Sequence, residues 1–498
     1  MSLTVAARFC AFVLYLAFMV YIGVRYMKKN KSSEDFFLGG RSVGPWMTAL
    51  SAEASDMSGW LLMGLPGVAY LTGLKEAFWT AVGLEIGTYL NWLVVAKRLR
   101  RYTEQCGNAI TIPEFLTNRF KDSSRVISLI SVIFILIFFT VYTASGFVAC
   151  GKLLNSVFGI PYVPAVLLGV AVILAYTMAG GFLAVCATDF VQGSLMFIAL
   201  IVTSVVMIAT LGGMHAAFAK VASFGTQFIN PFVDDGTGFG ALAIISALGW
   251  GLGYFGMPHI LARFMGIRSD KDVPLSRRVA MVWVTIAFIA AVMIGSFGKA
   301  YLSEPLTFGA QETVVIETIK QMYPAFIGGI FLCAILAAAM STADSQLLVA
   351  ASAFSEDFLT TILKRKLSEK QVVVVSRITV FAIALVAFVI SLDENSSIFS
   401  LVSYAWAGFG ATFGPLILLA LFWRSATHKG AIAGIAAGGI TVIVWHRLHG
   451  GIFDMYEIIP GFLACLIFAV VVSVLDKNKN AEMLAEFDAY VAALKNTF

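Results

Sequence analysis

Residues 51–67 read SAEASDMSGWLLMGLPG and place two carboxylates, Glu53 and Asp56, inside an otherwise apolar part of the chain. A charged side chain at membrane depth costs on the order of 3 kcal/mol to insert, so it is a functional candidate by default. The serines, glycines and proline of this stretch favour an interrupted helix, whose free carbonyls could join a carboxylate in a hard-oxygen site for a small cation. We therefore assign Asp56 to ion coupling, against the alternative that it caps the second half-helix. Glu53 is either a second cation-attracting group or a residue facing a wet vestibule.

A second oxygen-rich stretch, AILAAAMSTADSQLLV at 334–349, places the adjacent hydroxyls of Ser341 and Thr342 among small residues. Hydroxyls facing the first stretch would complete a neutral cage of about five or six oxygens, which suits Na⁺ better than a divalent or soft metal. Close helix packing through Ala and Ser is the competing explanation.

Two further acids lie at membrane depth. We expect Asp189 to guide an ion's exit or to cap a helix, and Glu85 to bond a neighbouring helix instead of the substrate.

Three aromatic side chains could line a pocket beside these oxygens. Trp250 and Tyr254 lie four residues apart in SALGWGLGYFGMPHI (246–260), hence on one helix face, and Tyr142 lies in the fourth apolar run. A small apolar ring could pack between such side chains while a phenol or an indole supplies a hydrogen bond. Ordinary aromatic packing is the alternative in a chain with 13% Phe, Trp and Tyr.

The elements that must position these residues are membrane-spanning helices. The chain has 498 residues, of which 59% are hydrophobic and only 13% charged, and its mean hydropathy of +0.88 is that of an integral membrane protein. About 13 apolar runs are long enough to cross a bilayer as helices. No period-two alternation typical of transmembrane strands occurs, so the predicted fold class is an all-α polytopic membrane protein. Threaded from an external N-terminus, the runs place most Lys and Arg on the cytoplasmic side, which predicts an N-out/C-in topology.

Two of the predicted spans are unusual in the same way. The run at 43–73 is too long for one straight helix and contains Pro66, while the 246–260 stretch is rich in glycine and carries Pro258 near its end. They lie five spans apart, so spans 2–6 and 7–11 predict two inverted halves with a binding site at the midplane of the membrane. The alternative is that Gly and Pro are common in membrane helices and help them pack.

The domain organisation predicted from the sequence is simple. A single transmembrane transporter domain covers 1–476, with an inverted-repeat core at about 43–423, and a cytoplasmic tail with a short amphipathic helix covers 477–498. The tail is too short for an attached nucleotide-binding domain and no Walker A motif occurs, so the sequence does not predict transport driven by ATP hydrolysis. We do not expect an enzyme, since no nucleophile–base pair can be placed, nor a channel, since no repeated pore-filter sequence is present.

Several segments in order resemble the sodium/solute symporter family: SAEASDMSGWLLMGLPG, GWGLGYFGMPHILARFM (249–265), AAAMSTADSQLLV (337–349) and SYAWAGFGATFGP (403–415). The resemblance runs over nearly the whole chain. It implies the leucine-transporter-like fold, a five-plus-five inverted-repeat core in spans 2–11 with flanking helices. It also implies a multi-pass protein of the cytoplasmic membrane in which an inward Na⁺ gradient drives uptake of L-proline. Na⁺ is then a co-transported ion, no organic cofactor or nucleic acid takes part, and a monomer in membrane lipid is the expected transport unit.

The resemblance also implies individual site residues by motif match. Asp56 matches an essential aspartate of Na⁺-coupled transport, and Asp189 matches an acidic residue linked to ion movement. The Na⁺ ligands would be the carbonyls of Ala54, Met57 and Ala338 and the hydroxyls of Ser341 and Thr342. The proline pocket would contain Tyr142, Trp250, Tyr254 and Pro258, with Ser58 and Gly59 beside it.

Two other functions compete with proline uptake. A symporter of the same family could carry pantothenate, a sugar or a sialic acid, although the aromatic set favours a small ring and a sugar should need more carboxamide donors. A membrane sensor could bind proline without transporting it, but no signalling domain is visible in the sequence.

Overall fold

The computed structural model describes residues 2–27, 33–177, 181–235, 237–362, 368–477 and 479–495, and in these ranges the chain is mostly helical. The helices of the first half are α1 (Leu3–Met27), α2 (Ser33–Leu38), α3 (Pro45–Gly59), α4 (Leu65–Thr72), α5 (Leu74–Leu90), α6 (Lys97–Gln105), α7 (Ile112–Arg119), α8 (Val126–Phe158), α9 (Tyr162–Thr177), α10 (Phe182–Thr210) and α11 (Met214–Ala222). Those of the second half are α12 (Ala241–Leu248), α13 (Pro258–Gly266), α14 (Val273–Tyr301), α15 (Val314–Met322), α16 (Ala325–Ser352), α17 (Glu369–Ile390), α18 (Ile398–Phe422), α19 (His428–Trp445), α20 (Ile458–Leu475) and α21 (Ala481–Lys495).

Shorter segments of other geometry join these helices. Segments of π-helix cover Trp60–Gly64, Asn91–Ala96 and Ala353–Ile362, and segments of 3₁₀-helix cover Gly39–Arg41, Thr226–Phe228, Gly249–Phe255, Asp270–Asp272, Gln311–Thr313 and Gly451–Asp454. Two short antiparallel strands, β1 (Val233–Asp234) and β2 (Thr237–Gly238), pair Val233 with Gly238. The π and 3₁₀ segments matter for function because they interrupt the regular α-helical hydrogen bonds where they occur.

Nine helical stretches of the described residues are long and apolar enough to cross a membrane, and the pair Ala241–Phe255 and Pro258–Gly266, bent by 43°, adds a tenth. This confirms the predicted all-α membrane class. The three other predicted spans correspond to α3 with α4, which a π segment joins, to α5 with the π segment Asn91–Ala96 that follows it, and to the shorter α9. The count of about 13 spans and the N-out/C-in topology stay predictions.

The two interrupted spans lie in the middle of the bundle. Helix α3 packs against α10, α14 and α16, and the 3₁₀ segment Gly249–Phe255 packs between α5 and α18. Glycines make the second contact possible, because a Cβ on Gly87 of α5 would lie 2.2 Å from the carbonyl oxygen of Gly251. Small residues let the two backbones touch, as is usual at contacts between membrane helices.

The predicted amphipathic helix of the tail is α21. Its apolar stripe, Met483, Phe487, Tyr490 and Leu494, is buried, and the ring of Tyr490 stacks on Tyr102 of α6 with centroids 4.0 Å apart. On its other side, Asp488 accepts two hydrogen bonds of 2.7 Å from Arg424, and this guanidinium lowers the pKa of the Asp488 carboxyl. Residues 478 and 496–498 of the predicted tail lie outside the described residues.

Candidate functional site

The candidate site forms where α3 breaks. Ser58 adopts φ 47° and ψ −170°, a left-handed conformation that is costly for a residue with a side chain, and its hydroxyl accepts a 3.0 Å hydrogen bond from the amide of Trp60. A break of this kind deprives the last carbonyls of the first half-helix of their usual partners four residues on. Side chains from other helices donate hydrogen bonds to two of these carbonyls. Ser341 Oγ donates to the Ala54 carbonyl at 2.8 Å, and Tyr142 Oη donates to the Asp56 carbonyl at 3.0 Å.

Three of the five oxygens predicted as cation ligands, those of Ala54, Ala338 and Ser341, lie close together at this break. Ser341 of α16 lies within hydrogen-bond distance of the carbonyls of both Ala54 and Ala338, at 2.8 and 3.3 Å. The neighbouring Thr342 has a buried hydroxyl for which no hydrogen-bond partner occurs among the described residues. Met57 lies one residue before Ser58, and its carbonyl accepts a hydrogen bond from the backbone N–H of Trp60. Neutral, hard oxygens from two helices are therefore brought together, as a site for a small cation requires.

Asp56 faces a small cavity next to these oxygens. Its side chain is only 5% exposed, and its Oδ2 accepts a hydrogen bond of 2.6 Å from the phenol of Tyr254. The cavity is narrow, with a free volume of about 10 Å³, and is lined by Asp56, Met57, Trp60, Leu84, Tyr142, Trp250, Tyr254, Val402 and Trp406. That is room for about one water molecule. A carboxylate thus closes one side of an otherwise mainly aromatic and apolar space.

Aromatic rings separate this cavity from a much larger one. The ring of Trp250 packs against Trp60, Phe399 and Tyr456, with centroids 5.3, 5.1 and 5.3 Å apart. Beyond them lies a vestibule with a free volume of about 930 Å³, to which Trp250, Phe399 and Tyr456 also contribute. A molecule entering the small cavity from this side must therefore displace or pass this aromatic cover.

The structure places the predicted pocket residues in two groups. Tyr142, Trp250 and Tyr254 line the small cavity, whereas Ser58, Gly59 and Pro258 do not. Ser58 and Gly59 form the helix break beside the cavity, and Gly59 packs on α8 so closely that a Cβ would lie 2.9 Å from that of Ala149. Pro258 is the first residue of α13, where proline's fixed φ favours the start of the second half-helix.

Asp189 belongs to a separate buried network, not to the cavity. Its Oδ2 accepts hydrogen bonds of 2.6 and 2.9 Å from Ser51 and Ser55 and forms an ion pair of 3.1 Å with Arg263. The guanidinium of Arg263 also donates to Ser345 of α16 at 2.5 Å. The network thus joins α3, α10, α13 and α16. The sequence analysis missed Arg263, although an arginine inside the apolar stretch MPHILARFMG (257–266) was a usable signal.

The two other acids singled out from the sequence, Glu53 and Glu85, bond neighbouring helices. Glu53 is 2% exposed, accepts a hydrogen bond of 3.2 Å from Trp92 and does not line the vestibule, so the prediction of a wet environment for it was wrong. Glu85 accepts a hydrogen bond of 2.5 Å from Thr285 of α14, which confirms the predicted bond between helices.

Two interrupted helices that bring carbonyls, hydroxyls, a carboxylate and an aromatic cavity together inside a helical bundle define a class, the secondary transporters with broken helices at the membrane midplane. The chain belongs to one family of that class, the sodium:solute symporter family, whose sequence model matches residues 36–438.

Several characterised proteins are similar to this chain over nearly their full length. It is 46% identical over 487 residues to the sodium/proline symporter of Escherichia coli (strain K12), with 96% of each chain covered. It is 46% identical over 474 residues to the high-affinity proline transporter PutP of Bacillus subtilis (strain 168), covering 95% of this chain and 99% of that one.

Solved structures extend the comparison to the fold. A Na⁺-coupled sialic acid symporter in a substrate-bound outward-open state has a TM-score of 0.79 at 20% identity, covering 95% of this chain and 99% of that chain. The transporter MhsT in complex with L-phenylalanine has a TM-score of 0.55 at 16% identity, with 86% and 97% covered. These likenesses confirm the predicted leucine-transporter-like fold.

Proposed function

We propose that this chain is a secondary active transporter that couples inward Na⁺ movement to uptake of L-proline across the cytoplasmic membrane. The observation that carries this proposal is the break at Ser58, which joins a set of neutral oxygens to a small cavity through one residue, Asp56. The relatives that share about 45% of its residues are named as proline transporters, and they support the choice of substrate. These relatives are transporters, and we propose no catalytic reaction for this chain.

The Na⁺ ligands in this proposal are five oxygens from two helices. They are the carbonyls of Ala54, Met57 and Ala338 and the hydroxyls of Ser341 and Thr342. The short contacts of Ser341 with two of these carbonyls support the assignment, because a bound Na⁺ would lie between the three oxygens while the Ser341 hydroxyl kept its proton and turned it away from the ion. Asp56 stays ionised next to the bound ion, and Asp189 acts on the ion's path from its separate network with Arg263.

Proline binds at the small cavity in this proposal, and the walls of the cavity must move apart to admit it, because the free volume of about 10 Å³ is that of one water. Its ring packs among Tyr142, Trp250 and Tyr254, which line that space. Its carboxylate meets the amide groups at the start of the second half-helix, after Ser58 and Gly59, where the helix dipole is positive. Pro258 does not contact the substrate in this proposal. It acts indirectly, because it begins α13 and so fixes where the second broken helix turns.

Coupling follows from the shared residue. Na⁺ and Tyr254 both act on Asp56, and Tyr254 lines the proline cavity, so occupation of the ion site pre-forms one wall of the cavity. By linkage, the factor by which Na⁺ raises the affinity for proline equals the factor by which proline raises the affinity for Na⁺. The vestibule faces outward if the topology is N-out/C-in, and alternating access then requires the aromatic cover to close behind the substrate. One transmembrane domain, 1–476, carries out the whole cycle.

Radiolabelled L-proline uptake into proteoliposomes tests the proposal. An imposed inward Na⁺ gradient should drive concentrative uptake, whereas matched K⁺ and proton gradients should not. Asp56→Asn should abolish the Na⁺-stimulated part, and Glu85→Gln, which changes a membrane-depth carboxyl outside the cavity, should retain it. Uptake driven by protons alone would refute Na⁺ coupling, and no proline uptake under any gradient would refute the choice of substrate.

A further inference from the structure

Trp406 is a cavity residue without a role in the proposal above. It lies in SYAWAGFGATFGP (403–415), within α18, and is only 2% exposed. It lines the small cavity together with Val402, which precedes it by one turn of the same helix. Helix α18 supplies Phe399 to the aromatic cover but none of the proposed ion ligands or pocket residues, so this wall of the cavity needs an explanation of its own.

The indole of Trp406 holds both aromatic walls of the cavity at once. Its Nε1 donates a hydrogen bond of 2.7 Å to the carbonyl of Trp250, in the 3₁₀ segment of the second broken helix. Its ring stands edge-on to Tyr254, with centroids 5.1 Å apart and planes at 86°. Tyr254 in turn donates to Asp56. One side chain therefore contacts the substrate wall at Trp250 and the residue that leads to the ion site.

Glycines make this contact possible and leave it no freedom. A Cβ on Gly253 would lie 2.0 Å from Nε1 of Trp406, and a Cβ on Gly256 would lie 2.3 Å from the carbonyl oxygen of Phe409. The glycine-rich faces of α18 and the 3₁₀ segment thus pack backbone to backbone. The indole therefore lies directly against the backbone of the 3₁₀ segment, at a place where any side chain at position 253 would displace it from Trp250.

We propose that Trp406 is a positioning residue of the substrate cavity, which sets the distance between the walls formed by Trp250 and Tyr254. The inference rests on the proposed uptake of proline and names a residue that decides its selectivity. The free space between the walls is about 10 Å³, so any cyclic imino acid must part them. Walls tied to one indole resist parting, and a six-membered ring must part them further than proline does, whereas a four-membered ring fills less of the opened space. The N–H of Trp406 acts on the Trp250 wall, and its ring acts on the Tyr254 wall.

Two substitutions separate these actions. Trp406→Phe keeps an aromatic ring against Tyr254 but removes the donor to the Trp250 carbonyl, so proline affinity should fall about 10-fold while Na⁺ affinity without proline changes less than about 2-fold. Trp406→Ala removes both contacts and should weaken Na⁺ binding as well. Trp283→Phe is the matched control, because it removes an equivalent buried bond of 3.1 Å to the carbonyl of Gly193, away from the cavity.

The measurement is equilibrium binding of labelled L-proline to the purified full-length protein, with Na⁺ titrated and with azetidine-2-carboxylate and pipecolate as competitors. We expect Trp406→Phe alone to weaken proline binding and to reduce the preference for proline over pipecolate. Should Trp406→Phe fail to fold, Trp406→His, which keeps a ring N–H, should fold and retain part of the preference. Equal effects of Trp406→Phe and Trp283→Phe, or an unchanged ring-size preference, would overturn the inference. If the wild-type protein shows no Na⁺-stimulated proline binding, the proposed function fails, and the inference with it.

Discussion

Two tyrosines donate to the same residue, which allows the electrostatic part of the site to be measured. Tyr254 donates to the carboxylate of Asp56 at 2.6 Å, and Tyr142 donates to its backbone carbonyl at 3.0 Å. Both rings are about 1% exposed and both line the cavity. Replacing each by phenylalanine removes one hydroxyl and leaves the ring in place, so the two variants differ chiefly in the charge of the acceptor that is left without a donor.

The structure gives the order of the two effects. A hydrogen bond to a charged group contributes about 1.5–3 kcal/mol, and a neutral one about 0.5–1.5 kcal/mol. Since about 1.4 kcal/mol is a factor of ten in affinity, Tyr254→Phe should weaken Na⁺-stimulated proline binding about 10- to 150-fold. Tyr142→Phe should weaken it about 2- to 10-fold.

Binding of labelled proline across a Na⁺ titration measures both variants, with Tyr162→Phe as the control. Tyr162 donates to the carbonyl of Ser391 at 3.0 Å, outside the cavity, and its loss should leave both affinities unchanged. The argument is refuted if Tyr142→Phe costs as much as Tyr254→Phe, because the carboxylate would then have no special part in the site. It is also refuted if neither variant differs from the control.

Two further predictions concern the ion site and the packing that supports it. Ser341→Ala should raise the Na⁺ concentration needed for half-maximal proline binding about 10-fold, because one ligand oxygen is lost. Ser341→Thr should retain most of the Na⁺ affinity. Equal Na⁺ titrations of the alanine variant and the wild type would show that this hydroxyl is not a ligand. Gly87→Ala should destabilise the protein by about 1–3 kcal/mol, since its Cβ would lie 2.2 Å from the carbonyl oxygen of Gly251. Gly238→Ala, whose Cβ meets nothing within 4 Å, should stay within about 0.5 kcal/mol of wild type; thermal unfolding of the purified variants compares them, and equal losses would contradict the packing argument.

Much of this protein was determined by sequence alone. Composition decides that the chain spans a membrane, because a mean hydropathy of +0.88 cannot be reconciled with a water-exposed surface. The two interrupted helices were also readable, since serine, glycine and proline weaken a helix locally and independently of the fold. Asp56 was identified for the same reason: a carboxylate at membrane depth is costly wherever the neighbouring helices lie.

The tertiary structure decided which partners these groups have. The hydroxyl that donates to the Ala54 carbonyl comes from Ser341, 287 residues away, and the N–H that donates to the Trp250 carbonyl comes from Trp406, 156 residues away. Sequence periodicity gives the face of each helix but not the neighbour it meets, so Arg263 was missed and Glu53 was given too wet an environment. Helix packing fixes those neighbours, because the close contact of helices with small residues brings side chains of distant segments into hydrogen-bond distance.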